Sequence, residues 1–519
     1  MEEYRDHGNC SGAGRTDRHR STCRDPYSRA MAAFSLDSSC RRVGRSVLIG
    51  GSPLRIFRLR SAGADIVDAI EDRRRLPANH RQVTDRLLDA GVIHPLLDPL
   101  LDPAKTTTSA TALDVTVVIP VYGTDPSTTV AACLACGVHS IIVVDDASFV
   151  AVTPSTDISG SVSVGLVRHA VNRGPAAARN TGMALVTTPF VAFVDADAEP
   201  DPDWLWRLLW MFEDDRLALA APRVRSRPTA SRLGRYEQWR SPLDLGQQPA
   251  RIRVGSRVSY VPAAALVVRT SAIRSVGGFD EALRYGEDVD LVWRLDAAGF
   301  GCRYAPDAGV VHDVRPTLAA WWRQRVSYGS AAAALDRRHP GAVAPTSTSR
   351  WSALVWVLVA SGRPLAGAGV GLATVGALAR KLAGVPAPFV EALRLAGRGN
   401  LFSGRLYAAG ITRAWWPIAA FAAVVSARAR RVLLAAAIAP ALYDWMTQRP
   451  ALDPLTAVTL RLADDISYGT GVWLGMFRER RLGPIVPSFP ELTAATWPHR
   501  LRTLRLRTLS RRTNGSAAP

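Results

Sequence analysis

Asp195-Ala196-Asp197 closes an apolar run, Pro189-Phe190-Val191-Ala192-Phe193-Val194, that reads as a buried strand. Two carboxylates one residue apart at a strand end can hold one divalent cation and reach the ribose and phosphates of a nucleotide, because such cations prefer hard oxygen donors. An isolated Asp-x-Asp is ordinarily a solvated acidic turn. Here it has company. A strand at Val115-Thr116-Val117-Val118-Ile119-Pro120-Val121-Tyr122 breaks at a proline, and a second run, Ile141-Ile142-Val143-Val144, ends in Asp145-Asp146-Ala147-Ser148.

These acids need strands to present them. The first two apolar runs flank a helix-like stretch, and Val167-Arg168-His169 leads into Asn172-Arg173-Gly174-Pro175-Ala176-Ala177-Ala178-Arg179-Asn180-Thr181-Gly182. Strands alternating with helices predict an α/β domain on a parallel sheet. Acidic residues then cluster at the carboxyl ends of the strands, where open α/β sheets bind ligands. The small residues from Gly174 onward allow close approach to a ligand, and a helix start there favours an anion.

Further along come Val276-Gly277-Gly278-Phe279-Asp280-Glu281, Gly286-Glu287-Asp288-Val289-Asp290-Leu291 and Val310-Val311-His312-Asp313. This series resembles the GT-A nucleotide-diphosphosugar transferases of glycosyltransferase family 2, over residues 114–330. Leu48-Ile49-Gly50-Gly51-Ser52-Pro53-Leu54-Arg55, the Gly174–Gly182 loop, Val258-Ser259-Tyr260-Val261-Pro262 and Gly286-Glu287-Asp288-Val289-Asp290 extend the likeness. Together they resemble the mycofactocin-system glycosyltransferases, which act on a ribosomally made, peptide-derived redox cofactor.

The resemblance implies a site. Pro120 and Tyr122 would wall a uracil pocket, and Asp145 or Asp146 would accept from the uracil N–H. Arg179 and Asn180 would lie toward the nucleotide-sugar, with Arg179 the charged contact. Asp195 would face the ribose, and Asp197 with His312 would hold Mg²⁺ or Mn²⁺, which stabilises a departing diphosphate. Glu287 would lie on the acceptor side and Asp288 would be the general base, with Asp290 as a competitor. The implied reaction inverts the sugar's anomeric centre: glucose from UDP-glucose, added once or as a β-1,4-linked chain. One departure stands out. Processive cellulose and hyaluronan synthases carry Gln-x-x-Arg-Trp after this region. Here Trp321-Trp322-Arg323-Gln324-Arg325-Val326-Ser327-Tyr328 lacks the Arg-Trp pair, which argues against a polymer-extruding synthase. Trp321 and Trp322 are candidates to stack on an acceptor sugar or to pack in the core. Two other readings remain: a family 2 enzyme, such as a rhamnosyltransferase, acting on a lipid or cell-wall glycan, and a non-catalytic binding protein on the same scaffold.

The 519 residues suffice for several domains, and the formal charge is +19. Lys105 and Lys381 are the only lysines, so arginine carries nearly all the positive charge. That charge suits anionic lipid or a sugar nucleotide; no recognition motif points to nucleic acid. Cys133-x-x-Cys136 has no second pair to complete a zinc site, so these read as packing thiols in a reducing compartment. Residues 1–45 are polar, lack the apolar stretch of a signal peptide, and are expected to be disordered. Residues 46–100 predict a hairpin followed by two helices, either a small winged-helix-like peptide-recognition domain or a cap on the catalytic domain. A polar linker at 101–113 leads to the catalytic domain, 114–345.

The remainder divides into an apolar helical region, 346–450, and a C-terminal region with a basic tail, 451–519. Apolar runs at 351–360, 365–379, 415–427 and 432–443 are each shorter than the roughly 20 residues of a spanning helix. Trp351, Trp356, Trp415, Trp416 and Tyr443 lie near their ends, as interfacial aromatics do. These runs predict either attachment to the cytoplasmic side of the cell membrane or a packed soluble helical domain.

Overall fold

The computed structural model describes residues 33–77, 80–96, 113–152 and 162–490. The expected disorder of residues 1–32, most of the linker and the basic tail lie outside these residues. The small N-terminal unit begins earlier than expected. Strands β1 (Ala33–Leu36) and β2 (Arg41–Val43) precede β3 (Val47–Gly50) and β4 (Arg55–Arg58), so residues 33–45 are not a disordered extension. They are held because β1 pairs antiparallel with β5 (Ile93–Leu96) and β2 with β3. The predicted β3–β4 hairpin forms, with Val47 opposite Arg58 and Gly50 opposite Arg55. Ile66, Val67, Ile70, Leu87 and Leu88 line one faces-inward stripe on each helix and build the unit's own core with Phe34, Leu48 and Ile93.

The catalytic sheet contains β6 (Leu113–Val121), β7 (Val138–Asp145), β8 (Ser163–Arg168), β9 (Phe190–Val194), β10 (Ala198–Pro200), β11 (Leu217–Ser226), β12 (Ala250–Arg251), β13 (Ala265–Arg269) and β14 (Gly301–His312). Its order is β10-β14-β11-β13-β9-β6-β7-β8, with β12 on β14. The half nearest the nucleotide motifs is parallel, as predicted: β6 pairs in parallel with both β7 and β9, and β7 with β8. The other half is mixed, because β13 runs antiparallel to both β9 and β11. The central strands are apolar on both faces and are covered by helices on both sides. One core packs Val118, Phe193 and Leu266; the other packs Ile119, Val143 and Trp204. Cys133 and Cys136 sit in the second core as unpaired thiols. Burial pushes the Cys136 thiol up to about 11.

After β14 the chain is helical. A helix at Leu318–Arg338 is followed by Arg350–Ala360, Pro364–Lys381, Pro388–Thr412, Trp416–Val425, Ala427–Gln448 and Pro454–Glu479. Among the described residues, no single helix is long and apolar enough to cross a membrane; Pro388–Thr412 and Trp416–Val425 pass that test only as a pair, bent by 84°. The last helix returns to the catalytic domain and packs along Leu318–Arg338, so the boundary expected at residue 345 cuts through a shared helix pair. Glycine makes this crossing close. A Cβ on Gly329 would overlap the Tyr468 carbonyl, and one on Gly471 would overlap the Val326 carbonyl. Both obstacles are backbone atoms, which cannot swing aside as a side chain can. Gly471→Ala should therefore lower stability by an overpacking cost on the order of 1–3 kcal/mol, read as a lower thermal midpoint. An unchanged midpoint would show that the two helices slide apart freely.

Candidate active site

The register of the sheet assembles the acidic centre. The Asp-x-Asp turn lies between β9 and β10, and β10 pairs with β14 so that Ala198 faces His312. This pairing brings residues from distant parts of the chain together. One ligand atom from each of Asp195, Asp197 and His312 lies within 4.8 Å of the others. His312 Nε2 is 3.1 Å from Asp197 Oδ1, and its Nδ1 is 2.8 Å from the Asp313 carbonyl. A carbonyl only accepts, so Nδ1 carries the proton and Nε2 presents its lone pair toward Asp197. Facing a carboxylate, that nitrogen needs either a second proton or a cation. Burial alone would lower the imidazole's proton affinity, but the Asp197 hydrogen bond and charge overcome it and raise the value. Two hard oxygens and one imidazole with its other nitrogen anchored fit a divalent cation.

Arg179 ties this centre to Glu287. It lies on the helix Pro175–Ala184, whose preceding Gly174 has φ +93°, a conformation that side chains disfavour. Its guanidinium is buried and donates at 2.7 Å to Asp195 Oδ1 and at 2.7 Å to Glu287 Oε1. The helix Glu287–Ala297 starts at this point with Glu287, Asp288 and Asp290 in its first turn, where the helix dipole favours negative charge. Asp288 is oriented by backbone amides: Oδ2 accepts from Ala263 N at 3.1 Å and Oδ1 from Val289 N at 2.8 Å. Burial raises its proton affinity, as suits a base. Asp290 faces elsewhere, accepting from Arg294 at 2.7 Å and lying 2.8 Å from His339 Nε2. That pairing removes it as competitor for the base.

The two candidates for the nucleobase separate. Asp145 is fully buried, accepts from Ser148 N at 2.8 Å and pairs with Arg168 at 2.5 Å. Burial opposes its ionisation, yet those hydrogen bonds hold its carboxyl below the usual range. It does not reach the cavity. Asp146 does, alongside Pro120 and Tyr122. Its carboxylate accepts from Arg173 N at 2.8 Å and Gly174 N at 2.7 Å, so it also shapes the loop that carries Arg179.

Asn180 is also displaced, and Trp321 and Trp322 take the core reading of the two left open for them. Asn180 does not line the cavity; it accepts from Phe279 N at 2.9 Å and donates to the Phe279 carbonyl at 2.9 Å, pinning the Gly277-Gly278 turn. Its position one residue after Arg179 turns it about 100° away around the helix. Trp321 is fully buried and donates to Glu237 Oε1 at 2.7 Å. Trp322 packs against the same buried cluster of Tyr236, Trp321, Leu452 and Ala457. Both tryptophans belong to the helix–helix core and not to the acceptor side.

One cavity of about 1460 Å³ joins Asp146, Asp195, Asp197, His312, Glu287 and Asp288. It continues to Tyr260, Tyr328, Arg413, Asp464, Asp465 and Tyr468, residues not assigned to the site from sequence. Tyr260 falls in a quoted motif, and the Asp464-Asp465 doublet interrupts an otherwise apolar helix; Arg413 carries no such signal.

The sheet and its acidic centre define a GT-A nucleotide-diphosphosugar transferase fold. The description "Glycosyl transferase family 2" matches residues 116–275. The chain is 39% identical over 469 residues to "Pre-mycofactocin glycosyltransferase" of Mycobacterium tuberculosis, covering 88% of this chain and 97% of that protein. It is 27% identical over 158 residues to "Poly-beta-1,6-N-acetyl-D-glucosamine synthase" of Staphylococcus aureus, covering 30% of this chain and 38% of that one. Among solved structures, a mannosyltransferase from Pyrobaculum calidifontis in complex with GDP-Man and Mn²⁺ shares 17% identity, 68% coverage of this chain and 87% of that chain, with a TM-score of 0.33. The chain belongs to glycosyltransferase family 2, among the mycofactocin-system glycosyltransferases.

Glu287 yields a test of this charge arrangement. Burial, then the neighbouring Asp288 charge, push its carboxyl up to about 7 against the pull of Arg179. A folded value above the ordinary one means that protonation favours the fold. That contribution is complete below the ordinary value and is lost as pH rises through about 7. Glu287→Gln removes the titration, so its thermal midpoint relative to wild type should climb from about pH 5 to about pH 8. A difference that stays flat would show Glu287 ionised throughout.

Proposed function

We propose that this enzyme transfers glucose from UDP-glucose, with inversion, onto a peptide-derived redox cofactor of the mycofactocin type, once or as a β-1,4-linked chain. The observation that carries the reading is one cavity holding both the Asp195–Asp197–His312 trio and a backbone-oriented Asp288. The relative named "Pre-mycofactocin glycosyltransferase" supports the acceptor class. Asp146, Pro120 and Tyr122 hold the base, and Asp195 lies toward the ribose. Asp197 and His312, with Asp195 beside them, would hold Mg²⁺ or Mn²⁺, which supplies charge neutralisation of the leaving diphosphate. Asp288 takes the proton from the acceptor hydroxyl. The freed oxygen attacks C1 of the glucosyl group, the C1–phosphate bond breaks from the opposite side, and UDP leaves with the bonding pair. Arg179 pairs with Asp195 and Glu287, while backbone amides orient Asp288 to take the proton.

Asp288→Asn should cut turnover about 10²–10⁴-fold while UDP affinity holds, and Asp197→Ala should abolish the Mn²⁺ dependence of UDP binding in calorimetry. Near-normal turnover in the first variant, or unchanged metal dependence in the second, would sink the respective assignment.

We further propose that the helical region rests on the cytoplasmic face of the membrane. The helix Trp416–Val425 buries none of its side chains; Phe421 is 72% exposed and Val424 77%. Arg428, Arg430 and Arg431 open the next helix. Apolar residues beside arginines suit an anionic bilayer surface. The full-length protein should co-sediment with phosphatidylglycerol vesicles, and Phe421→Glu with Val424→Glu should release it. Equal sedimentation of the double variant would refute the assignment.

A further inference from the structure

The cavity is larger than one donor requires. Ordinary small-ligand pockets occupy about 300–1000 Å³, against about 1460 Å³ here. The surplus lies beyond Asp288, where the helices Leu318–Arg338, Pro388–Thr412 and Pro454–Glu479 close over the sheet. Three phenols and one guanidinium face this space. Tyr260, Tyr328 and Tyr468 line it, and none of their hydroxyls has a hydrogen-bond partner among the described residues.

Arg413 is the unusual group. It follows the helix Pro388–Thr412 and lies over the Tyr468 ring, 4.1 Å from the centroid. Its side chain donates no hydrogen bond to any described residue, and its Nε is buried without a partner. Arg179, by contrast, is bonded on both sides, at 2.7 Å to Asp195 and at 2.7 Å to Glu287, whereas Arg413 has one longer ion pair. Asp465 Oδ1 is the nearest carboxylate oxygen, at 3.5 Å from Nε, and its partner oxygen accepts from Thr412 at 2.6 Å. Burial pushes the Asp465 carboxyl up, which weakens it as a counter-ion. The Arg413 side chain is 42% exposed, so a guanidinium with five donors, stacked on an aromatic ring, presents donors that a ligand can take. Guanidinium recognises planar oxygen pairs.

Tyr260 lines the same cavity as this cation and the base. Its hydroxyl, pushed up to about 12 chiefly by burial, feels the charges of Tyr468, Asp288 and Arg413. A ligand bridging Arg413 and Asp288 would share that cavity with Tyr260.

We propose that Arg413, with Tyr260, Tyr328 and Tyr468, forms the acceptor subsite. Arg413 takes a carboxylate or carbonyl oxygen of the acceptor, the aromatic rings hold its body, and the acceptor hydroxyl is thereby delivered to Asp288. This rests on the reading of the enzyme as a glucosyltransferase to a peptide-derived acceptor, and it assigns Arg413 a role in specificity rather than in bond-making.

The test uses the full-length protein, UDP-glucose and the pre-mycofactocin acceptor, with Arg413→Gln and Arg413→Lys. Acceptor binding to the UDP-bound protein and UDP binding alone are measured by calorimetry, alongside initial rates. Arg413→Gln should weaken acceptor binding and raise its KM about 10- to 100-fold, the range for a lost charged hydrogen bond, with UDP affinity unchanged. Arg413→Lys should recover part of the loss, because it restores charge without the planar fork. Unchanged acceptor affinity in Arg413→Gln overturns the subsite. Weakened UDP affinity overturns it too, placing Arg413 on the donor phosphates. Should Arg413→Gln melt far below wild type, Arg413→Lys and Tyr260→Phe carry the same comparison. A wild type that binds the acceptor through Arg413 without turnover would sink the glucosyl-transfer reading and leave the subsite standing. A wild type that neither binds nor glycosylates it would sink both.

Discussion

The buried Arg179 guanidinium is the interaction on which the site depends. Asp195, Asp197, Glu287 and Asp288 gather in one cavity, two of them on a single guanidinium. Taking such charges from water is expensive unless each is paired or hydrogen-bonded. Arg179 pairs two of them, backbone amides hold the third, Asp288, and His312 holds the fourth, Asp197. The surrounding structure follows from placing that one side chain. Gly174 at positive φ starts the helix that carries it, Asp146 anchors the loop before it through two amides, and Phe279 lies against the guanidinium at 5.5 Å. An arginine without these constraints would carry its charge to solvent, and the carboxylates would repel one another or take up protons.

The helical region completes the site instead of forming a separate body. Arg325 pairs with Glu237 and with Asp464, at 2.9 Å for the latter, and Tyr236 donates to Asp464 at 3.0 Å. These contacts join the helix Arg232–Arg240 of the catalytic domain, the helix Leu318–Arg338 and the last helix in one buried network. Asp444 serves a similar purpose beside it, between Arg461 at 2.6 Å and Arg240 at 3.3 Å. Buried polar networks of this kind fix geometry because a partly satisfied one is costly. The far wall of the cavity is thus tied to the catalytic domain, although its helical residues lie well beyond the family-wide segment at 116–275.

The sequence made legible what local pattern encodes. Apolar runs ending in acids located the strands, and Asp195, Asp197, Asp288 and His312 come together as their motifs implied. Arg179 was placed at the site, though its bridging of Asp195 and Glu287 depends on tertiary distance. Asn180 was misplaced because adjacency in a helix does not mean a shared face. Trp321, left open between acceptor stacking and core packing, was undecidable for another reason. Trp321, Arg325 and Tyr328 follow helical spacing on one stripe, and the stripe does reach the cavity, but about two turns farther along. Trp321 lies at the end covered by Tyr236 and Leu452. Which turn faces open space is decided by the crossing with Pro454–Glu479, and no local signal encodes a partner more than a hundred residues away. Arg413 was invisible for the same reason, as one arginine among many.

The N-terminal unit shows how such distant partners are held in place. One face of its β2-β3-β4 sheet is already occupied: Val43, Val47 and Ile49 pack against Val375, Leu382 and Val385 of the helical region. Arg41 pairs with Glu391 on the helix Pro388–Thr412. On its other side Asp37 receives Arg257 at 3.1 Å, and Asp85 receives Arg216 at 2.9 Å, both from the catalytic domain. The unit therefore bridges the two bodies whose junction forms the far half of the cavity. The helix it grips ends at Thr412, directly before Arg413. Its contacts satisfy the role of a structural cap, while β4, exposed along most of its length, is the edge that pairs with no further strand among the described residues. A unit wedged in this way shapes the far half of the cavity through position: it packs on the helical region and pairs with the helix that ends directly before Arg413.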